Sequence, residues 1–204
     1  MDAEASWNYL LVVIQPMGDR EIYLITNVYG PQGPDDKLRL LTSLEDLRDR
    51  HSGIPWILGM DFNIIKSPSE KKKGGTKTIS RDSIAFQNFI DNMKLVDTDT
   101  SNGLYTWNNK RGGESQVASK LDRFIISEDL MLIGLDMTMR ILPFGGSDHW
   151  LVQFDVTGIG TQRKDLLDLK ISSSPIQNLL ATLKNGGKKI YRSRERECFY
   201  YTKD

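Results

Sequence analysis

Cysteine is almost absent from this 204-residue chain: Cys198 stands alone. Neither an internal disulfide framework nor a four-cysteine zinc site can be built from one thiol. Long apolar runs are missing too. The best, Tyr9 to Gln15, is strand-length and far short of the roughly 18 residues of a membrane span. The acidic start Met1-Asp2-Ala3-Glu4 is wrong for a secretory signal. No charge of one sign dominates, because 27 Lys and Arg balance 27 Asp and Glu. That excludes an overall basic field for gripping nucleic acid and leaves a local basic site open. What is present is an ordinary globular composition, 39% hydrophobic and 26% charged, enough for one sizeable core and short for two. The expectation is a soluble, intracellular, monomeric protein with one main domain.

The chain opens with a hairpin pattern. Trp7 to Gln15 and Glu21 to Val28 are rich in aromatic and branched residues and flank a turn at Pro16-Met17-Gly18-Asp19. Tyr29-Gly30-Pro31 then stops regular pairing. From Asp35 the period becomes helical, with Leu38, Leu41, Leu44 and Leu47 on one face, Asp35 or Asp36 as N-cap, and an end near His51-Ser52-Gly53. Pro55 to Gly59 reads as a strand buried on both faces and feeds Met60-Asp61-Phe62-Asn63. Ser67 to Ile79, polar, basic and glycine-rich, reads as a surface loop. Ser80 caps a second helix with Phe86, Phe89, Ile90 and Met93 on its apolar face.

Strand-like pieces follow at Leu104 to Trp107, Lys120 to Ser127, Met139 to Phe144 and Trp150 to Val156, with a short helix from Ser127. This mixture predicts an α/β sandwich with largely antiparallel sheets. After Thr157 the composition shifts. Residues 158–204 hold ten Lys or Arg against five Asp or Glu, a net of +5 that leaves −5 for residues 1–157. We read the main domain as 1–157 and 158–204 as a divergent basic tail, with weak helical patterns at Leu166 to Leu169 and Leu179 to Leu183.

Four polar groups stand at element ends: Asn27 to Pro31, Gly59 to Asn63, Leu121 to Phe124, and Ser147-Asp148-His149. Each alone reads as turn or cap chemistry. An aspartate inside a strand, as at Asp122, needs a partner. Together Asp61, Asn63, Asp122, Asp148 and His149 suit a hard-metal and general-base site, and oxygen ligands without thiols favour Mg²⁺ over zinc. Phosphoryl chemistry is the natural use of such a set.

In order and spacing, Asn27 to Pro31, Pro55 to Asn63, Glu70-Lys71, Phe86 to Ile90, Leu95 to Asp97, Tyr105 to Asn109, Lys120 to Ser127 and Ser147 to His149 resemble the endonuclease/exonuclease/phosphatase family. The Thr-Trp-Asn-Asn and Leu-Asp-Arg-Phe motifs resemble the endonuclease domain of plant LINE-type (non-LTR) retrotransposons. The resemblance implies a four-layer α/β sandwich and a nuclear, Mg²⁺-dependent (or Mn²⁺-dependent) phosphodiester hydrolase that nicks DNA. It implies that Tyr29 and Asn63 bind the scissile phosphate and that Asp61 aligns or deprotonates water. His149, oriented by Asp122, would contact the phosphate, with Asp148 and Asp61 at the metal. Lys71, Lys72, Lys73, Lys77 and Arg81 form the expected DNA-contacting loop.

Family members also carry an upstream strand ending in a phosphate-binding Asn and then a metal-binding Glu. Here Met1 stands only 28 residues before Tyr29. The expectation is therefore an incomplete sandwich, truncated at its N-terminus and catalytically impaired. Its alternatives are an active nuclease, a non-catalytic remnant that at most binds nucleic acid, and a small-molecule phosphatase of the same fold.

Overall fold

A computed structural model describes residues 3–15, 21–73, 78–142, 147–158, 168–172, 179–184 and 199–200. In chain order these form β1 (Ala3–Ala5), β2 (Tyr9–Ile14), β3 (Tyr23–Tyr29), α1 (Pro34–Arg50), β4 (Trp56–Asp61), β5 (Lys71–Lys72), α2 (Arg81–Asn92), β6 (Leu95–Asp97), β7 (Trp107–Asn108) and β8 (Ala118–Ser119). Then come β9 (Asp122–Ser127), α3 (Glu128–Leu132), β10 (Leu135–Leu142), β11 (Leu151–Gly158), β12 (Asp168–Ser172), β13 (Leu179–Lys184) and β14 (Phe199–Tyr200). No helix among the described residues is long and apolar enough to cross a membrane.

The expected hairpin is β2–β3, antiparallel from Tyr9↔Val28 to Ile14↔Tyr23. Its first strand starts at Tyr9 rather than Trp7, because the Ser6 N–H donates to the Tyr9 carbonyl at 2.8 Å and makes residues 6–9 a turn. The turn after Gln15 lies outside the described residues. β3 pairs parallel with β4, which requires a crossover, and α1 supplies it. Gly33 is the N-cap of α1 and Pro34 occupies the first helical position, so Asp35 and Asp36 lie in the first turn instead of capping. Leu40, Leu41, Leu44 and Leu47 are its buried residues, and Leu38 is only half-buried. α2 has the expected cap, the Ser80 side chain accepting from the Ser83 N–H.

The main sheet has the order β1-β2-β3-β4-β9-β6. Side-chain alternation along its strands builds two cores. On one face Leu24, Val28, Trp56, Leu58 and Ile125 pack under α1 and α2 with Leu44, Leu47, Phe86 and Phe89. On the other, Tyr23, Ile25, Ile57, Phe124 and Ile126 meet Met139 of β10 and Val152, Phe154 and Val156 of β11. The Phe124 and Phe154 rings stack at 5.0 Å. Gly59 permits this contact, since a Cβ there would strike the Phe124 ring. Each fully buried Leu or Phe contributes about 1.5–3 kcal/mol to these cores. Of the four sandwich layers, described residues thus fill three: a helical layer and two sheets.

Several segments differ from the sequence reading: the strand expected at Leu104 to Trp107 is reduced to Trp107–Asn108, and the one expected from Met139 already begins at Leu135. Within the expected 67–79 loop, Pro68–Glu70 forms a 3₁₀ turn and Lys71–Lys72 a strand in a small sheet ordered β5-β8-β7. In the tail, β12 lies antiparallel along β11 and β13 along β12, so Leu179 to Leu183 is strand, not helix. β12 takes the open edge of β11 and β13 the open edge of β12, so the segment gains ladder hydrogen bonds where an isolated short helix would be marginal. Leu166 and Leu167 lie outside the described residues.

Candidate active site

Parallel pairing delivers the C-terminal ends of β3 and β4 to one edge of the main sheet, with Tyr29 opposite Asp61. Antiparallel β9 starts at that edge, with Asp122 opposite Asp61. Asp122 shares the strand face of Phe124 and Ile126, so both carboxylates point between the two sheets. The backbone crosses closely here. The Gly30 N–H donates to the Asp61 carbonyl at 2.6 Å, and a Cβ on Gly30 would collide with the Phe62 carbonyl.

His149 completes the cluster. A bridge from Trp107 to His149 and the bond from the Trp150 N–H to the Thr106 carbonyl at 2.7 Å bring it over β9. Its Nδ1 lies 2.9 Å from Asp122 Oδ2 and its Nε2 lies 3.9 Å from Asp61 Oδ2. A carboxylate oxygen accepts, so the ring proton sits on Nδ1 and Nε2 faces Asp61. That second distance exceeds a hydrogen bond and leaves room for a bridging oxygen. Thr106, fully buried, accepts from the Leu121 and Asp122 N–H groups at 3.0 and 2.9 Å and fixes the start of β9.

Electrostatics separate the roles. Asp61 is pushed up to about 7, first by burial and then by the Asp122 charge. Burial pulls the His149 imidazole down, but the hydrogen bond to Asp122 and the surrounding carboxylates outweigh it and raise it above 6.5. Asp148 is exposed; burial would raise it, yet the Trp107 indole N–H at 2.8 Å and nearby charges hold it below the usual carboxylate range.

Asn63 sits in the left-handed region at φ 52°, which asparagine tolerates. Its N–H donates to Asp61 Oδ1 at 2.8 Å, and its Nδ2 donates to the Gly30 carbonyl and to Asp61 Oδ2 at 2.6 and 3.1 Å. Both amide hydrogens are engaged, so Asn63 orients Asp61 in this state. Tyr29 is 49% exposed at the rim.

Thus Asp61, Asn63, Asp122 and His149 are together, Tyr29 flanks them, and Asp148 lies beside the cluster on Trp107. Asp61, Asp122 and His149 offer one ligand atom each within 4.8 Å of one another, a donor set that fits a divalent cation. Lys71 and Lys72 lie on the small sheet, joined to His149 through β8 and β7. Lys73 pairs with Glu114 at 3.0 Å and Arg81 with Asp35 at 3.4 Å; Lys77 lies outside the described residues. Thr106, Trp107 and Gln32, which donates to Asn63 Oδ1, were not singled out as site residues from the sequence. The Thr-Trp spacing before Asn108 is the signal that could have found the first two.

This sandwich, with its Asp–Asp–His edge, has the endonuclease/exonuclease/phosphatase fold. Among solved structures it is similar to the endonuclease domain of TRAS1, a telomere-specific non-LTR retrotransposon, with TM-score 0.58 and 18% identity. That match covers 76% of this chain and 65% of the TRAS1 chain. The Xenopus laevis APE2 catalytic domain gives TM-score 0.55 and 16% identity over 77% of this chain and 58% of its own. Among curated proteins, the Transposon TX1 uncharacterized 149 kDa protein of Xenopus laevis is 29% identical over 132 residues, 62% of this chain and 10% of that protein. No protein-family model matches the chain.

Proposed function

We propose that this chain is a divalent-metal-dependent phosphodiester hydrolase of the endonuclease/exonuclease/phosphatase family, acting on DNA in the nucleus as a retroelement nicking domain. The observation that carries it is the buried Asp61–Asp122–His149 cluster at one sheet edge, with His149 fixed by Asp122 and Asp61 fixed by Asn63. Its likeness to a retrotransposon endonuclease domain supports the retroelement branch; the plant branch rests on the sequence motifs alone.

In this reading Asp61, held in one rotamer by Asn63, aligns the attacking water and takes its proton. Protonated His149 donates from Nε2 to a phosphate oxygen, while Asp122 accepts from Nδ1 and favours that charged form of the ring. Tyr29 closes the rim. Asp61, with Asp122 beside it, would hold Mg²⁺ or Mn²⁺, which would supply charge neutralisation at the phosphate, and Asp148 would have to leave the Trp107 indole to join them. Lys71, Lys72 and Lys73, with Lys77 and Arg81, supply the polyanion contact. Because Asp61 must lose its proton, the metal-free cluster gains base strength as pH rises through about 7, and a bound cation moves that point down.

Impaired catalysis is the second reading. It is favoured by Asp148, whose carboxylate is turned onto Trp107 and is not one of the three clustered donors. Nicking of supercoiled plasmid by the purified chain, in Mg²⁺ and in EDTA, beside His149→Ala, decides between them. Metal-dependent nicking that vanishes in the variant supports the hydrolase. Equal behaviour of the two proteins leaves a non-catalytic member of the fold.

A further inference from the structure

The turn between β1 and β2 holds the most exposed large apolar side chain among the described residues. Trp7 is 91% exposed, whereas Trp56 is fully buried in the helical core. The Trp7 ring contributes nothing to packing, yet its turn is held firmly. On one side the Ser6 N–H closes on the Tyr9 carbonyl at 2.8 Å. On the other, the Tyr29 N–H donates to the Asn8 carbonyl at 2.8 Å, and Asn8 Nδ2 donates to the Tyr29 carbonyl at 2.9 Å. Trp7 is thus anchored to the residue that forms the rim of the site.

The topology sets the distance. Tyr29 is the register partner of Asp61, and the turn starts β2, two strands from β4. At about 4.8 Å between strands, the Trp7 turn lies roughly 10 Å from the strand that carries Asp61. Nucleotides advance about 3.4 Å along the axis of a stacked strand, so the indole stands about three nucleotides from a phosphate held between Asp61 and His149. The local charge does not oppose a polyanion. Glu4 is the only acidic residue described on the β1–β2 hairpin, and Arg50 holds it at 2.6 Å while the Tyr9 hydroxyl donates to it at 2.9 Å.

We propose that Trp7 is a nucleobase-stacking side chain for the strand handled at the Asp61–His149 edge. Its ligand is an unstacked base in a single-stranded or frayed segment, because bases inside a duplex already stack on one another. An exposed indole presents a π-face to any base, so the contact adds affinity with little sequence preference. The inference rests on the phosphodiesterase reading above.

The test uses the full chain carrying 5-fluorotryptophan, with the Trp7 resonance assigned from Trp7→Phe. A short phosphorothioate single strand and its duplex are titrated in turn. The expected result is a moving Trp7 signal with the single strand, binding weakened about tenfold in Trp7→Ala and largely kept in Trp7→Phe. The melting temperature should be unchanged in both variants, since the ring is in water. Oligonucleotide binding that moves the Trp107 signal but leaves Trp7 still, with Trp7→Ala binding as wild type, overturns this inference and leaves the hydrolase reading standing. No binding of either oligonucleotide at any salt concentration overturns both.

Discussion

Two buried charge clusters sit back to back on β9, and adjacent residues lead them. Asp122 faces between the sheets toward Asp61 and His149. Arg123 faces the helices, fully buried, with Nη1 donating to Asp97 at 2.7 Å and Nη2 to Glu70 at 2.8 Å and to the Ile64 carbonyl at 3.0 Å. Lys66 and Lys120 also reach Asp97, at 2.9 and 3.3 Å. Burial would raise Asp97, but these three cations outweigh it and hold the carboxyl below its usual range. Asp61, equally enclosed but facing another carboxylate, is pushed up instead. Compensated buried charge holds the frame; uncompensated buried charge, which costs stability, marks the place where a cation or phosphate chemistry would be accommodated.

Breaking the compensated side should have the largest effect. Arg123→Met leaves Glu70 and Asp97 buried without their shared cation and should cost about 3–5 kcal/mol in denaturant unfolding. Adding Glu70→Gln and Asp97→Asn should recover part of that loss. On the other side the sign reverses. Asp61 binds its proton more tightly folded than unfolded, so its contribution is present at low pH and lost as pH rises from its unfolded value of 3.8 to about 7. His149, also raised, adds stability below 6.5 that is lost as pH rises through its folded value. Asp61→Asn should therefore raise stability at pH 8 by up to about 4 kcal/mol, with the gain vanishing near pH 4, while abolishing nicking. Melting curves across this range check the slope.

Smaller changes sharpen the contrast. Thr106→Val removes the acceptor shared by two backbone N–H groups beneath Asp122 and should cost about 1–3 kcal/mol. The solvent-facing Lys73–Glu114 pair, with Glu114 almost fully exposed, has no comparable role. Lys73→Ala should change stability by less than about 0.5 kcal/mol.

Elements with several turns or alternations were legible before the structure: the β2–β3 hairpin, both long helices, buried β4, and β9. Their periodicity survives because each buries a continuous face. The two-residue strands β5 and β8 are not legible, and of β7 only Trp107 falls in an expected strand, since two residues carry no period and tertiary pairing alone defines them. Leu40 falls outside a strict three-residue spacing from Leu38, because the buried face of α1 passes through Leu40 and Leu41. Asp61, Asp122 and His149 could be grouped by residue type and position at strand ends. What could not be read was direction: Asn63 turned onto Asp61, Asp148 turned onto Trp107, and Arg123 as the hub of the opposite cluster. Asn63 turns onto a partner only two residues away, whereas Asp148 depends on Trp107 and Arg123 on Glu70, 41 and 53 residues distant.

The α1 crossover returns the chain from the Asp61 edge to the opposite end of the sheet before β4 begins. The turn at His51 to Gly53 therefore stands a full strand length, roughly 20 Å, behind the site. Gly53 has a positive φ of 79° and nothing near its Cα to crowd an added side chain. A peptide loop spliced in after Gly53 could fasten the protein to a bead or sensor surface by its back. The edge bearing Trp7, Tyr29, Asp61 and His149 would then face the solution, ready for a long polymer to arrive from the open side.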